Sequence, residues 1–104
     1  MTTDRLNLLQ FEHLSLSDAA IEQFELSLEA LRAEGLQDRY EQPLGLYLAD
    51  IADAEDVQQL LAAKNLGLGL VHGLLLAKAV SPATAEKLRQ LFSEAAERAI
   101  PKSD

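Results

Sequence analysis

The two histidines, His13 and His72, are the residues best suited to move protons or bind a metal, and they stand far apart in the chain. Neither belongs to a Glu-x-x-His or His-x-x-x-His pattern. There is no cysteine, so thiolate ligands, cysteine nucleophiles and disulfides are excluded. We therefore predict no catalytic residue, no metal site and no cofactor. His72 is expected either in the core, bonded to backbone, or at a pH-sensitive interface.

A cluster of carboxylates at Asp50, Asp53, Glu55 and Asp56 is a second candidate for chemistry. It lacks the alternating Asp/Asn ligands and central glycine of a calcium loop. Capping of a helix explains these residues better. The glycines of residues 67–73 neither follow a strand nor precede a Lys-Ser/Thr pair, so they do not form a phosphate loop.

Residues 74–91, LLLAKAVSPATAEKLRQL, resemble a helix-turn-helix DNA-binding motif. The second helix would present four residues to the major groove. These are Ala83, Thr84, Lys87 and Arg89. The turn is one residue short, and Ala79 replaces the usual turn glycine. DNA binding is therefore the alternative function rather than the first.

The charge balance argues against nucleic acid as the main partner. The net charge is -8, and residues 1–60 carry most of the Asp and Glu, whereas residues 61–104 are slightly basic. Binding to phosphates depends on cations that release counterions. The uncharged run at residues 66–77 is shorter than the roughly 20 residues needed to cross a bilayer. We expect a cytoplasmic protein with no membrane association.

The apolar run NLGLGLVHGLLLAKAV, residues 65–80, is the element around which we expect the chain to fold. Such a run suits a buried strand or a buried helix, and its length and leucine content favour a helix. We predict a central apolar helix at about residues 66–79. Because Asn65 and Gly67 weaken a helix, a kink or break is predicted at residues 64–67. An unbroken helix would indicate a dimer.

Capping signals divide the remaining chain into further helices. The residues expected to begin or end helices are Ser17, Gly35, Pro43, Asp53, Ser81 and Pro82. The sequence predicts an all-α single domain, residues 1–104, in a compact bundle of four to six helices. Gly69, Gly73 and Ala77 are spaced by four and share one helix face. In a soluble bundle this spacing predicts tight packing in the core rather than pairing in a membrane.

The N-terminal segment, residues 1–16, carries more large apolar side chains than a tether needs. It is predicted as a short helix or an extended arm that packs on its own domain or serves for docking or dimerisation. The candidate partner-binding residues are Leu6, Leu9, Phe11 and Leu14 in this segment, with Tyr40 and Tyr47 as aromatic anchors.

In length, acidity, lack of cysteine and the segment at residues 65–92, the chain resembles small all-helical anti-activators of LuxR-type quorum-sensing regulators from pseudomonads. This resemblance implies a regulator without enzymatic activity that sequesters a transcription regulator or prevents its dimerisation. From the residues we expect the same general role, a protein-binding module that forms a homodimer. The acidic first half would steer it toward a basic partner surface.

Overall fold

A computed structural model describes residues 18–99, which form four α-helices and no strand. The helices are α1 (Asp18–Arg32), α2 (Asp38–Ala52), α3 (Val57–Leu76) and α4 (Pro82–Ala99). They form a compact body of 40 × 31 × 17 Å. The all-α class is confirmed, and four helices fall within the predicted range. Segment 1–16 lies outside the described residues.

The centre of the bundle is the pair α2 and α4, each of which packs against all the other helices, whereas α1 and α3 make little contact with each other. The largest fully buried side chains are Leu28, Leu31, Leu44, Leu48, Ile51, Val71, Leu88 and Phe92. Only Val71 comes from α3. The prediction of a central helix at residues 66–79 is therefore not confirmed: the most apolar helix lies at the side of the bundle.

Helix α3 runs without interruption over 20 residues, so a break at residues 64–67 is wrong, while the kink stays a prediction. Asn65 is exposed, and its low helix propensity costs little free energy. Gly67 is buried against the ring of Phe92 in α4. Tertiary packing routinely overrides the weak helix propensity of one glycine, about 1 kcal/mol. At ~1.5 Å per residue the helix is about 30 Å long. It fits within the body instead of projecting from it.

Local signals placed some helix ends correctly and others wrongly. Gly35 adopts a left-handed conformation with φ 67° after α1, as predicted. The Ser81 hydroxyl accepts a hydrogen bond from the Thr84 N–H at 3.1 Å, which confirms the cap of α4. Pro43, predicted to open a helix, instead lies inside α2. At the sixth residue of the helix, proline removes the hydrogen bond that an N–H would otherwise donate to the Arg39 carbonyl.

The cap of α3 is Asp56 rather than Asp53. The Asp56 carboxylate accepts a hydrogen bond from the Gln59 N–H at 2.8 Å, so its negative charge stands at the positive end of the helix dipole. Asp53 instead follows the last turn of α2, where its N–H donates to the Ala49 carbonyl and the Ala54 N–H donates to the Ile51 carbonyl. Four residues, 53–56, separate the two helices, and an acid stands at each end of this connection, which is why both acids satisfied the capping pattern.

Candidate protein-interaction surface

The side of α3 that faces away from the bundle is apolar and open to solvent. We call it the outer face of α3. It consists of Leu61, Ala62, Asn65, Leu66, Gly69, His72, Gly73 and Leu76, all exposed. Of the seven large hydrophobic side chains that are exposed among the described residues, four belong to α3: Val57, Leu61, Leu66 and Leu76. Leu66 is 56% exposed and Leu76 is 69% exposed.

This surface exists because α3 buries only a narrow stripe. The buried residues recur every three or four positions, and they are Leu60, Ala63, Gly67, Val71 and Leu74. That spacing describes one face of a helix. Leu61, Leu66 and Leu76 lie off this stripe and point away from the bundle. The other leucines between the buried positions, Leu68, Leu70 and Leu75, are half-buried and pack against the edge of the core. A contiguous exposed apolar patch on a soluble domain marks an interaction site more often than chance.

The two other glycines of α3 form a shallow groove in the outer face. A Cβ atom placed on Gly69 or on Gly73 would meet nothing within 4 Å. Ala77, which follows the last turn, is exposed as well. The prediction that these small residues serve tight packing in the core is therefore wrong. The only α3 glycine used in the core is Gly67, which belongs to the opposite face.

By length and composition α3 meets the criteria for a helix that can cross a membrane, and 28% of the segment is buried inside the bundle. The uncharged run at residues 66–77 is expected to be too short to span a bilayer, but the helix that contains most of it is longer and reaches 20 residues. The core helix of a soluble protein satisfies the same criteria. The helix also contains Gln58, Gln59, Lys64 and Asn65, which interrupt its apolar character.

Charge is distributed unevenly along α3. The helix itself carries one charged side chain, Lys64. The carboxylates of residues 50–56 gather at its N-terminal end, where Asp50 and Asp53 line an open groove together with Ala62 and Leu66. Burial raises the pKa of Asp50 above its ordinary value, and the nearby Asp53 charge raises it further. One end of the outer face therefore has an acidic rim.

We expect Asp50→Asn to stabilise the protein slightly at pH 7. An acid whose pKa is raised by folding stabilises the native state only while protonated, so its contribution is lost as pH rises through the raised value. Because Asp50 is largely exposed, the gain should stay below about 0.5 kcal/mol. This gain in stability should vanish near pH 3.5, which is below the ordinary aspartate pKa of roughly 3.9.

Urea unfolding at both pH values measures this difference. Glu94→Gln, on an exposed site of α4, removes one carboxylate elsewhere and controls for net charge. An equal gain from both variants, or a gain from Asp50→Asn that persists at pH 3.5, would contradict the prediction.

The opposite end of α3 carries a cation in an unusual backbone conformation. The Ala79 N–H bonds to the Leu74 carbonyl and the Lys78 N–H to the Leu75 carbonyl, the paired bonds of a Schellman motif. Lys78 holds the left-handed position with φ 62°. Glycine usually occupies this position, because a side chain there costs roughly 1 kcal/mol. The exposed ammonium group lies where the helix dipole favours positive charge.

The sequence-predicted partner residues fall only partly within the described chain. Leu6, Leu9, Phe11 and Leu14 lie outside it. Tyr40 and Tyr47 share one side of α2, half-buried and packed against the core. The Arg39 guanidinium lies 4.9 Å from the centre of the Tyr40 ring. Both rings therefore offer an edge to solvent while their bodies help to close the bundle.

His72 lies on the outer face and is exposed. The expectation of a core histidine is wrong, and the interface alternative stays a prediction. Within residues 18–99 no group of three or more His, Cys, Asp or Glu side chains is placed to hold a metal ion.

The helix-turn-helix candidates are placed on α4, whose charges balance. Its acids are Glu86, Glu94 and Glu97, and its bases are Lys87, Arg89 and Arg98. The Thr84 hydroxyl bonds to Ser81 at 3.1 Å. Arg89 pairs with Glu86 at 2.8 Å. Ala83 and Lys87 are exposed. Among the four predicted DNA contacts, Lys87 is therefore the one cation without an ion pair within residues 18–99.

Sequence reasoning missed the outer face because an uninterrupted apolar run has no visible polar side. The missing signal was the spacing of the residues that pack against the two central helices, which only the fold reveals. Comparisons with known protein families, with curated proteins and with solved structures give no match to this chain.

Proposed function

We propose that this chain is a small non-enzymatic regulatory protein that acts by binding another protein through the outer face of α3. The observation that carries the proposal is the exposure of Leu61, Leu66 and Leu76 along one uncharged helix face. Burying apolar surface is the main favourable term in protein association. A helix face of this kind fits the groove or helical surface of a partner.

The partner we propose is a transcription regulator that is sequestered or kept from dimerising. Two features support this choice. The net charge of -8 would steer the protein toward a basic surface, such as that of a DNA-binding protein. An apolar helix face can also occupy the surface that a regulator uses for its own dimer. The site of action would be the cytoplasm, where such regulators work.

Tyr40 and Tyr47, together with the apolar residues of segment 1–16, belong to the proposal as additional contacts. Aromatic side chains with one exposed edge are frequent anchors in interfaces. The two tyrosines lie on α2 and not on the outer face of α3, so they would act as a second patch rather than as part of the first.

Site-specific photo-crosslinking in the native cell tests the proposal. A photoreactive residue at position 66 should yield an adduct that contains a transcription regulator, identified by mass spectrometry. Position 26 on α1 is the matched control, since Leu26 and Leu66 are both 56% exposed. The proposal is wrong if the adducts formed at position 66 contain no regulator, or if position 26 captures the regulator equally well.

A further inference from the structure

We infer that a second copy of this chain covers the outer face of α3, with the two α3 helices antiparallel about a two-fold axis near Gly69. This inference rests on the surface used by the proposed function and names what occupies it when the purified protein is alone. Three properties of the surface favour a second copy over another occupant: its shape, its charge and its size.

The shape is complementary to itself. In an antiparallel pair centred on Gly69, positions whose numbers sum to 138 lie opposite each other. Leu61 of one copy then lies over Ala77 of the second copy, and Leu76 lies over Ala62, so each of these two leucines meets a small side chain. Leu66 lies over His72, beside Gly73, where the space is open. A two-fold interface uses each such pair twice.

The charges are also complementary in this orientation. The acidic rim formed by Asp50 and Asp53 stands beside Ala62 and Leu66. Lys78 stands just beyond the other end of the same helix. Antiparallel pairing brings the Lys78 end of the second copy to the acidic rim of the first. Parallel pairing would instead place acidic rim against acidic rim.

Lys78 supports this arrangement independently, because it keeps a left-handed backbone where glycine would be unstrained. Such a residue points to a use for the side chain. An anionic membrane surface fits less well as the occupant. The carboxylates at the rim would be repelled by its headgroups, and α3 offers one lysine to attract them.

The size of the surface is sufficient for a weak dimer. A strip about 30 Å long and one helix diameter wide, roughly 10–12 Å, covers about 300–360 Å² on each copy, which is below the size of stable protein interfaces and in the range of weak, transient ones. We therefore expect a dimer that dissociates in the micromolar range and not a permanent one. Partner binding and self-pairing would then compete for the same leucines.

Sedimentation velocity of the full chain between about 1 and 500 µM is the first measurement. We expect a concentration-dependent monomer–dimer equilibrium. Leu66→Glu should weaken the dimer at least tenfold, whereas Leu26→Glu, at an equally exposed leucine on α1, should leave it unchanged. A monomer throughout this range overturns the inference, and so does an equal effect of the two variants.

A charge exchange tests the antiparallel orientation. Lys78→Glu and Asp53→Lys should each weaken the dimer, because each places like charges opposite one another twice. An equimolar mixture should form a heterodimer in which both pairs are attractive again. If the mixture associates no better than the separate variants, the orientation is wrong.

Two further outcomes identify other occupants and also overturn the inference. Dimers that form only after residues 1–16 are deleted would show that this segment of the same chain covers the face. Binding to vesicles of phosphatidylcholine and phosphatidylglycerol that is lost in Leu66→Glu, without any dimer, would show a membrane occupant.

The inference and the proposed function fail separately. A monomeric purified protein whose position 66 still captures a regulator in the cell would disprove the pairing and leave the function standing. A dimer that responds to Leu66→Glu, with no regulator captured, would disprove the function and leave the pairing standing.

Discussion

Replacing Phe92 with alanine should lower the free energy of unfolding by about 3–5 kcal/mol, the cost of removing a large buried ring and leaving a cavity. Phe92 is fully buried in α4, one of the two central helices. Its ring lies against Gly67 of α3, so its loss also removes one of the contacts between α3 and α4. Domains of this size are stable by about 5–15 kcal/mol. Much of the stability should therefore disappear.

Urea unfolding followed by circular dichroism measures this loss. Leu26→Ala, an exposed site on α1, is the control and should change stability by less than about 0.5 kcal/mol. A loss below about 1.5 kcal/mol in Phe92→Ala would mean that the ring is not packed between α3 and α4 as described.

Gly67→Ala should destabilise the protein by about 1–3 kcal/mol, although alanine is the better helix former. The new methyl group would overlap the Phe92 ring, whose atom Cζ would lie 2.6 Å from it. The ring is fully buried, so to move aside it must displace neighbouring side chains in a closely packed core. The overlap therefore outweighs the gain in helix propensity.

The same substitution two residues further along should have the opposite sign. The methyl group added by Gly69→Ala would have no atom within 4 Å, so this substitution should stabilise the helix by up to about 1 kcal/mol. Both variants are compared at protein concentrations low enough to keep the chain monomeric. If both substitutions stabilise the protein, α3 and α4 do not approach each other at Gly67.

A double-mutant cycle connects the two predictions. In the Phe92→Ala background the methyl group of Gly67→Ala enters the vacated space, so its cost should vanish or become a small gain. Residues in direct contact show such coupling, whereas distant sites add. Additive effects would indicate that the cost of Gly67→Ala arises elsewhere.

The sequence was sufficient for the fold class and for those helix ends that a single strong local signal determines. Ser81 followed by Pro82 placed the start of α4, and Gly35 marked the chain after α1. Local signals failed where two of them competed within a few residues. Asp53 and Asp56 both suit a helix start, and only the hydrogen bond to Gln59 distinguishes them.

The position of α3 could not be obtained from its composition. Apolar content predicts burial on average, yet which helix becomes central depends on the number of neighbours it packs against. Helix α2 carries charged and polar residues but supplies three fully buried large side chains, Leu44, Leu48 and Ile51. The outer face of α3 could not be predicted for the same reason, because its exposed leucines cannot be distinguished from core residues in the sequence.

The location of α3 at the side of the bundle also bears on how the molecule opens. Helix α3 makes extensive contacts with α2 and α4 but little contact with α1, so it can separate while α1, α2 and α4 stay packed together. Local opening of this kind requires less free energy than global unfolding. We therefore expect the amide hydrogens of α3 to exchange with solvent as one group, ahead of those in the two central helices.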